Sequence, residues 1–220
     1  MSQNHAEQER RKFQLERIAL FSDAVFAIAI TLLVIEIKVP IVSHENQEIF
    51  NKEFSHALME MIPEFIGFFI SFIVIGNYWR AHHTIFGHVT DYNRKLISLN
   101  TWFLLSIVCM PFTTAMMSKY IFFKPYVFYC VNVICSGLIQ LRLWHYIINP
   151  KNKVSENIPI GIIRYKKYSA WVVIGCFAVS LFLHRFVGPT FARIFLSSIF
   201  IINIFTDRYF VKKYNLGKKY

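Results

Sequence analysis

The chain has 220 residues, 55% of them hydrophobic and 17% aromatic, with a mean hydropathy of +0.41. A soluble domain of that size has too little interior to hide so much apolar surface, so a soluble globular fold is excluded. The net charge of +11 does not point to nucleic acid: the basic residues sit between apolar runs rather than along one soluble face, as membrane topology requires.

The apolar runs reach the roughly 20 residues that a helix needs to cross hydrocarbon. Glycine (8) and proline (7) are too few for the turns of a β-barrel, and no period-two alternation recurs. The predicted fold class is all-α, a polytopic membrane protein of six transmembrane helices.

In chain order, the first 17 residues form a polar, cytoplasmic N-terminal segment, with no small-residue cleavage site after the first apolar run and hence no cleavable signal peptide. The first span runs from Ile18 to Ile37 and stops at Lys38-Val39-Pro40, since proline cannot continue a helix. The second runs from Pro63 to Phe86 and ends with Asn77, Arg80, His82 and His83. The third covers Leu96 to Met117, broken near its end by Pro111. The fourth covers Tyr126 to Ile147 and is closed by Asn149-Pro150. The fifth runs from Tyr168 to Val187, and Gly188-Pro189 turns the chain into the sixth, Thr190 to Phe205. Residues 18–210 thus make one transmembrane domain, and 211–220 a basic cytoplasmic tail.

Orientation follows from lysine and arginine. With the N-terminus, the 2–3 and 4–5 loops and the C-terminus in the cytoplasm, that side collects most of the 24 basic residues. The 1–2 loop instead carries Glu45, Glu48, Glu53 and Glu60 around a single Lys52. Both termini are therefore expected in the cytoplasm, as an even number of spans requires. The basic 4–5 loop (Lys151, Lys153, Arg164, Lys166, Lys167) fits a topology determinant that can also touch anionic headgroups. Cys109, Cys130, Cys135 and Cys176 all lie in apolar stretches without metal-type spacing and read as small packing residues.

Polar groups at membrane depth are costly and become functional candidates by default. The first span carries Arg17, then Phe21-Ser22-Asp23, then an apolar run to Glu36. Ser22 or Asp23 could cap the helix. A helix starting at Asp23, however, is too short to span about 30 Å, so both are expected within its first turns. At 100° per residue, Ile28, Leu32 and Ile35 form one stripe with Thr31 at its border, and Asp23 points about 140° from Ile28. Ordinary helix packing accounts for such a stripe as well as a functional wall does. A buried carboxylate needs donors, and Arg17, Trp79, His82 and Asn100 can supply them. His82 and His83 point to different helix faces with no third ligand at chelating spacing, so no metal site is expected.

Together these residues resemble a known pattern. Arg17-x-x-x-Phe21-Ser22-Asp23 is similar to the R-x-x-x-F-S-D signature of the endosomal and lysosomal potassium channel family. Trp79-x-x-His82, Asn100 and Pro111-Phe112-Thr113 are similar to its second- and third-helix pattern, so the likeness covers Arg17 to Thr114. The signature occurs once, and the resemblance implies a short single-repeat member that assembles as a homotetramer. It further implies that the first helix lines a central pore, with a hydrophobic constriction at Ile28 and further layers at Thr31, Leu32 and Ile35. Arg17, Phe21, Ser22, Asp23, Trp79, His82 and Asn100 would form the structural hydrogen-bond network that holds this geometry.

No T-V-G-Y-G-like carbonyl filter occurs in the chain, so selectivity would come from side chains. A ring of Thr31 hydroxyls could replace part of a cation's hydration shell, and a ring of Ile28 could close the pore by dewetting. Glu36 lies near the outer mouth, where it could attract cations or simply pair with Lys38. The reading is a potassium-permeable leak channel in the cell membrane, with potassium ions, lipid and copies of itself as partners and no nucleic acid or cofactor. The alternative is a proton-coupled transporter relaying protons between Asp23 and His82; corresponding broken helices in two halves, which carriers use, are absent. No nucleophile–base or metal set supports an enzyme.

Overall fold

The computed structural model describes residues 2–42, 46–120, 122–156 and 158–214, and its architecture is all-helical. Glu45 and residues 215–220 of the basic tail lie outside the described residues. Helix α1 spans Ser2–Ile35 without interruption. The polar N-terminal segment is thus the first turns of the same helix, which at 1.5 Å per residue is about 51 Å long, well beyond the hydrocarbon thickness.

The acidic 1–2 connection, expected as a loop, contains helix α2 (Gln47–Glu60), with no residue buried. Asn46 caps it by accepting the Glu48 N–H at 2.9 Å. Its composition carries no long apolar run, so the hydropathy reading passed over it.

Helix α3 (Ile62–Phe86) begins with Pro63 in its first turn, where no backbone donor is lost. Helix α4 (Arg94–Val108) is capped by Asn93, whose Oδ1 accepts the Leu96 N–H at 2.9 Å and the Tyr146 hydroxyl at 3.0 Å. After a break at Cys109, α5 (Met110–Lys119) carries Pro111 in its first turn, matching the predicted break in the third span. Helix α6 (Phe123–Ile148) ends at Asn149, followed by one 3-10 turn over Pro150–Asn152. Helix α7 (Ile160–Phe186) starts eight residues before the predicted fifth span. Arg164, Lys166 and Lys167 are consequently helical and not part of a loop, because a helix runs on past the end of its apolar stretch.

Gly188 has φ +130°, a conformation open to glycine, and its N–H bonds Leu183 O at 3.0 Å as the chain turns into α8 (Pro189–Ser197). A second break at Ser198 separates α8 from α9 (Ile199–Tyr214). Among the described residues, five helical stretches are long and apolar enough to cross a membrane: His5–Ile35, Ile62–Phe86, Arg94–Lys119, Phe123–Ile148 and Ile160–Phe186. The chain is a multi-pass membrane protein. The sixth predicted span falls on α8 and α9, each shorter than the roughly 20 residues of a straight crossing.

Helix α1 packs on α3, α4 and α5; α6 packs on α4, α5 and α7; and α7 carries α8 and α9. The main core joins Phe26, Ala29 and Leu33 of α1 to Ile75, Phe103, Ile107 and Tyr129. A second cluster around Leu96, Trp144, Ile147 and Ile162 closes the end where α3 turns into α4. Helix α3 meets α5 closely at Gly67, where an added Cβ would lie 1.9 Å from Ser118 Oγ. Cys130 and Cys176 are buried as expected, whereas Cys109 and Cys135 are exposed on the single chain.

Candidate functional site

The site is built on α1, whose residues divide into two seams. Ser22, Phe26, Ala29 and Leu33 recur at helical spacing and are buried to 1% exposure or less against the bundle. Arg17, Phe21, Ala24, Ile28, Thr31 and Ile35 recur on the opposite side and are all exposed. Ile28 is 59% exposed and Ile35 67%, with Leu32 and Val34 exposed on the flanks of the stripe. A single chain therefore leaves most of the length of its first membrane helix uncovered along an apolar face.

Polar contacts gather on the covered side. Ser22 Oγ donates to Ile18 O at 2.9 Å, and Asn100 Nδ2 donates to Ser22 Oγ at 2.9 Å. Asn100 Oδ1 faces His82 Nε2 at 2.8 Å, and a hydrogen on Nε2 completes the pair. Each group in this file from α3 through α4 to α1 thus has a partner, which a buried polar chain needs to be stable. The His82 ring stacks on Phe86, with centroids 4.2 Å apart, and lies between Phe26 and Phe103 at 5.6 and 5.7 Å. One helical position further, Trp79 Nε1 donates to Asp23 Oδ1 at 2.9 Å. This second tie holds the carboxylate against α3, one turn from the first.

The structure thus brings Ser22, Asp23, Trp79, His82 and Asn100 to one junction of α1, α3 and α4, a brace for α1. It does not bring Arg17 or Phe21 there within one chain. Arg17 is exposed, its guanidinium 6.0 Å from the Phe13 ring, and Phe21 is 61% exposed. Their spacing explains this: four and three residues separate Arg17, Phe21, Ala24 and Ile28, so the two signature residues share the uncovered seam and not the brace. Asp23 and His82 hold different partners, so the residues proposed for a proton relay are not joined to each other by a described hydrogen bond. Among the described residues no group of three or more His, Cys, Asp or Glu could hold a metal ion.

On the uncovered seam, Thr31 Oγ1 donates its hydrogen to Ile28 O at 2.9 Å. The hydroxyl proton is committed to the helix, and the oxygen lone pairs remain for another partner. Glu36 is exposed just beyond the helix end.

A further buried group escaped the sequence reading. Thr114 Oγ1 is 2.8 Å from Ser71 Oγ, which donates to Tyr129 OH at 2.9 Å, linking α5, α3 and α6. Tyr78 OH donates to Val133 O at 2.7 Å, a second tie between α3 and α6. Hydroxyl-bearing residues are common in membrane helices, and only their spatial convergence separates these from the rest.

The family model described as endosomal/lysosomal potassium channel TMEM175 matches residues 17–111, the stretch that holds both seams and the brace. Over that stretch, this chain is similar to that family. A potassium channel of Streptomyces collinus is 39% identical over 105 residues, covering 48% of this chain and 48% of that protein. The endosomal/lysosomal proton channel TMEM175 of Danio rerio is 29% identical over 195 residues, 80% of this chain and 36% of that one. The match to the Streptomyces relative therefore spans about half of that relative's length. Among solved structures, the crystal structure of a lysosomal potassium-selective channel TMEM175 homolog from Chamaesiphon minutus superimposes with a TM-score of 0.69 at 26% identity. That likeness covers 90% of this chain and 98% of that one, so it extends well beyond the stretch of the family-model match.

Proposed function

We propose that this chain forms a potassium-permeable, leak-type cation channel in the cell membrane, with α1 from each of four copies lining a central pore. The observation that carries the reading is the division of α1: one seam is fastened into the bundle, while the opposite apolar seam, Ile28, Thr31 and Ile35 with Leu32 beside it, has no cover in a single chain. The family match and the potassium channels among its relatives support the ion. Six crossings put both termini in the cytoplasm, with α8 and α9 together forming the last, bent at Ser198 much as α4 and α5 bend at Cys109.

In this assembly a ring of Ile28 side chains forms the constriction and excludes water when narrow. Thr31, one turn on, presents hydroxyl oxygens whose hydrogens are held by the backbone, so lone pairs face a passing cation. A single ring of neutral hydroxyls replaces only part of the hydration shell, so selectivity is modest. The brace of Ser22, Asp23, Trp79, His82 and Asn100 fixes the angle of α1 without touching the ion. The proton-carrier alternative is not favoured, since Asp23 and His82 are engaged separately.

Currents across planar bilayers containing the purified protein test this. Ile28→Asn wets the constriction and raises potassium current several-fold over the native chain. If substitutions at Ile28, Thr31 and Leu32 all leave the current as it was, α1 does not line the pore.

A further inference from the structure

Beside the brace, a cavity of about 50 Å³ opens between α3, α6, α7 and α9. On the scale where one water needs about 10–15 Å³, this has room for the few oxygens of one phosphate group. Its walls are of two kinds. Val74, Ala170 and Val173 give an apolar side, and Asn77, Arg80 and Lys166 a polar side rich in donors.

The charges in this cavity do not cancel. Asp207 is its one carboxylate against two cations. Both carboxylate oxygens are engaged: Oδ2 lies 3.4 Å from Arg80 Nη2, and Oδ1 accepts the Tyr165 hydroxyl. Lys166 is left with a neutral hydrogen-bond acceptor, Thr84 Oγ1 at 3.1 Å, and the face of the Tyr165 ring at 5.0 Å. An ammonium has three donors and a full charge, and a hydroxyl oxygen satisfies only a fraction of both.

We propose that this cavity binds a phosphate-bearing anion, held by Lys166 and Arg80, with Asn77 as a neutral donor. The shared chemistry is a phosphate ester or free phosphate; its source is either the headgroup of an anionic phospholipid or phosphate from solution. The apolar wall of Val74, Ala170 and Val173 suits the glycerol and first methylenes of a lipid. Arg80 follows Trp79 directly on α3, so an occupant touches the same turn that holds Asp23 of α1. The site goes beyond ion conduction, and its readout is binding, so it stands or falls separately from the pore reading.

The test is native mass spectrometry of the full chain in neutral detergent, titrated with phosphatidylglycerol in one arm and inorganic phosphate in the other. Retention of one phosphatidylglycerol per chain identifies a lipid source, and retention of phosphate alone a solution source; either supports the site. Lys166→Gln weakens retention about tenfold or more, as loss of a charge-assisted contact requires, and Lys166→Arg keeps it. Ala170→Leu fills the cavity with every charge in place and weakens retention equally. Lys151→Gln, an exposed charge outside the cavity, changes nothing. The site is overturned if neither ligand is retained, if Lys166→Gln and Ala170→Leu bind like the native chain, or if Lys151→Gln loses as much as they do. Should Lys166→Gln fail to fold, retention by Lys166→Arg and loss by Ala170→Leu support the site, and unchanged binding by Ala170→Leu overturns it.

Discussion

The two seams of α1 share a helix, a hydropathy and a depth in the membrane, yet different physics acts on them. On the covered seam, Ser22, Phe26, Ala29 and Leu33 are specified by neighbours from α3, α4 and α5, and each polar side chain of the brace has a partner. On the open seam, Ile28, Thr31 and Ile35 are exposed, and among the described residues no neighbouring helix covers them. One side is constrained by the stability of the chain, and the other only by what lies beyond it. Substitutions on the two sides should therefore separate into those that change folding and those that change conduction.

The largest effect on stability is expected at Phe26, which is 1% exposed and packs on both His82 and Phe103. Phe26→Ala should destabilise the chain by about 3–5 kcal/mol, measured as denaturant unfolding in detergent micelles. Asn100→Ala comes next. It removes the central link and leaves His82 Nε2 and Ser22 Oγ without a described side-chain partner, at about 1–3 kcal/mol. Trp79→Phe keeps most of the ring and removes only the donor to Asp23, costing about 1 kcal/mol in the same unfolding measurement. Smallest of all is Thr31→Val. It is near-isosteric on the open seam and should shift stability by less than about 0.5 kcal/mol, while bi-ionic reversal potentials report a lower preference for potassium over sodium. An unfolding shift for Thr31→Val as large as that for Asn100→Ala would erase the distinction between the seams.

Much of this division was legible in the sequence, for a reason that also sets its limit. Ser22, Asp23, His82 and Asn100 stood out because polar groups inside apolar runs are expensive and need partners. Helical periodicity then separated Asp23 from Ile28 without reference to any neighbour. Arg17 and Phe21 went to the wrong side within a single chain because they were assigned by their place in a signature, whereas their spacing sets them on the seam of Ile28. Helix α2 was missed because hydropathy detects burial in lipid and not helicity, and none of its residues is buried. The contact of Arg80 with Asp207 joins positions 127 residues apart, and no local pattern encodes such a meeting. The Ser71–Thr114–Tyr129 group is hidden for the same reason.

The spacing of the open seam has a geometric consequence. Arg17, Ala24 and Thr31 form one strict seven-residue series, and Phe21, Ile28 and Ile35 form another. A straight α-helix turns about 20° short of closing each seven-residue step, so such a series drifts slowly around the axis. Four such helices keep their seams turned inward only by winding around one another with a left-handed twist, crossing at about 20°. Crossed rods approach most closely at one level and diverge above and below it. In the proposed assembly that level falls near the middle of the seam, at Ile28, and the pore takes the form of an hourglass whose waist is set by the pitch of the winding.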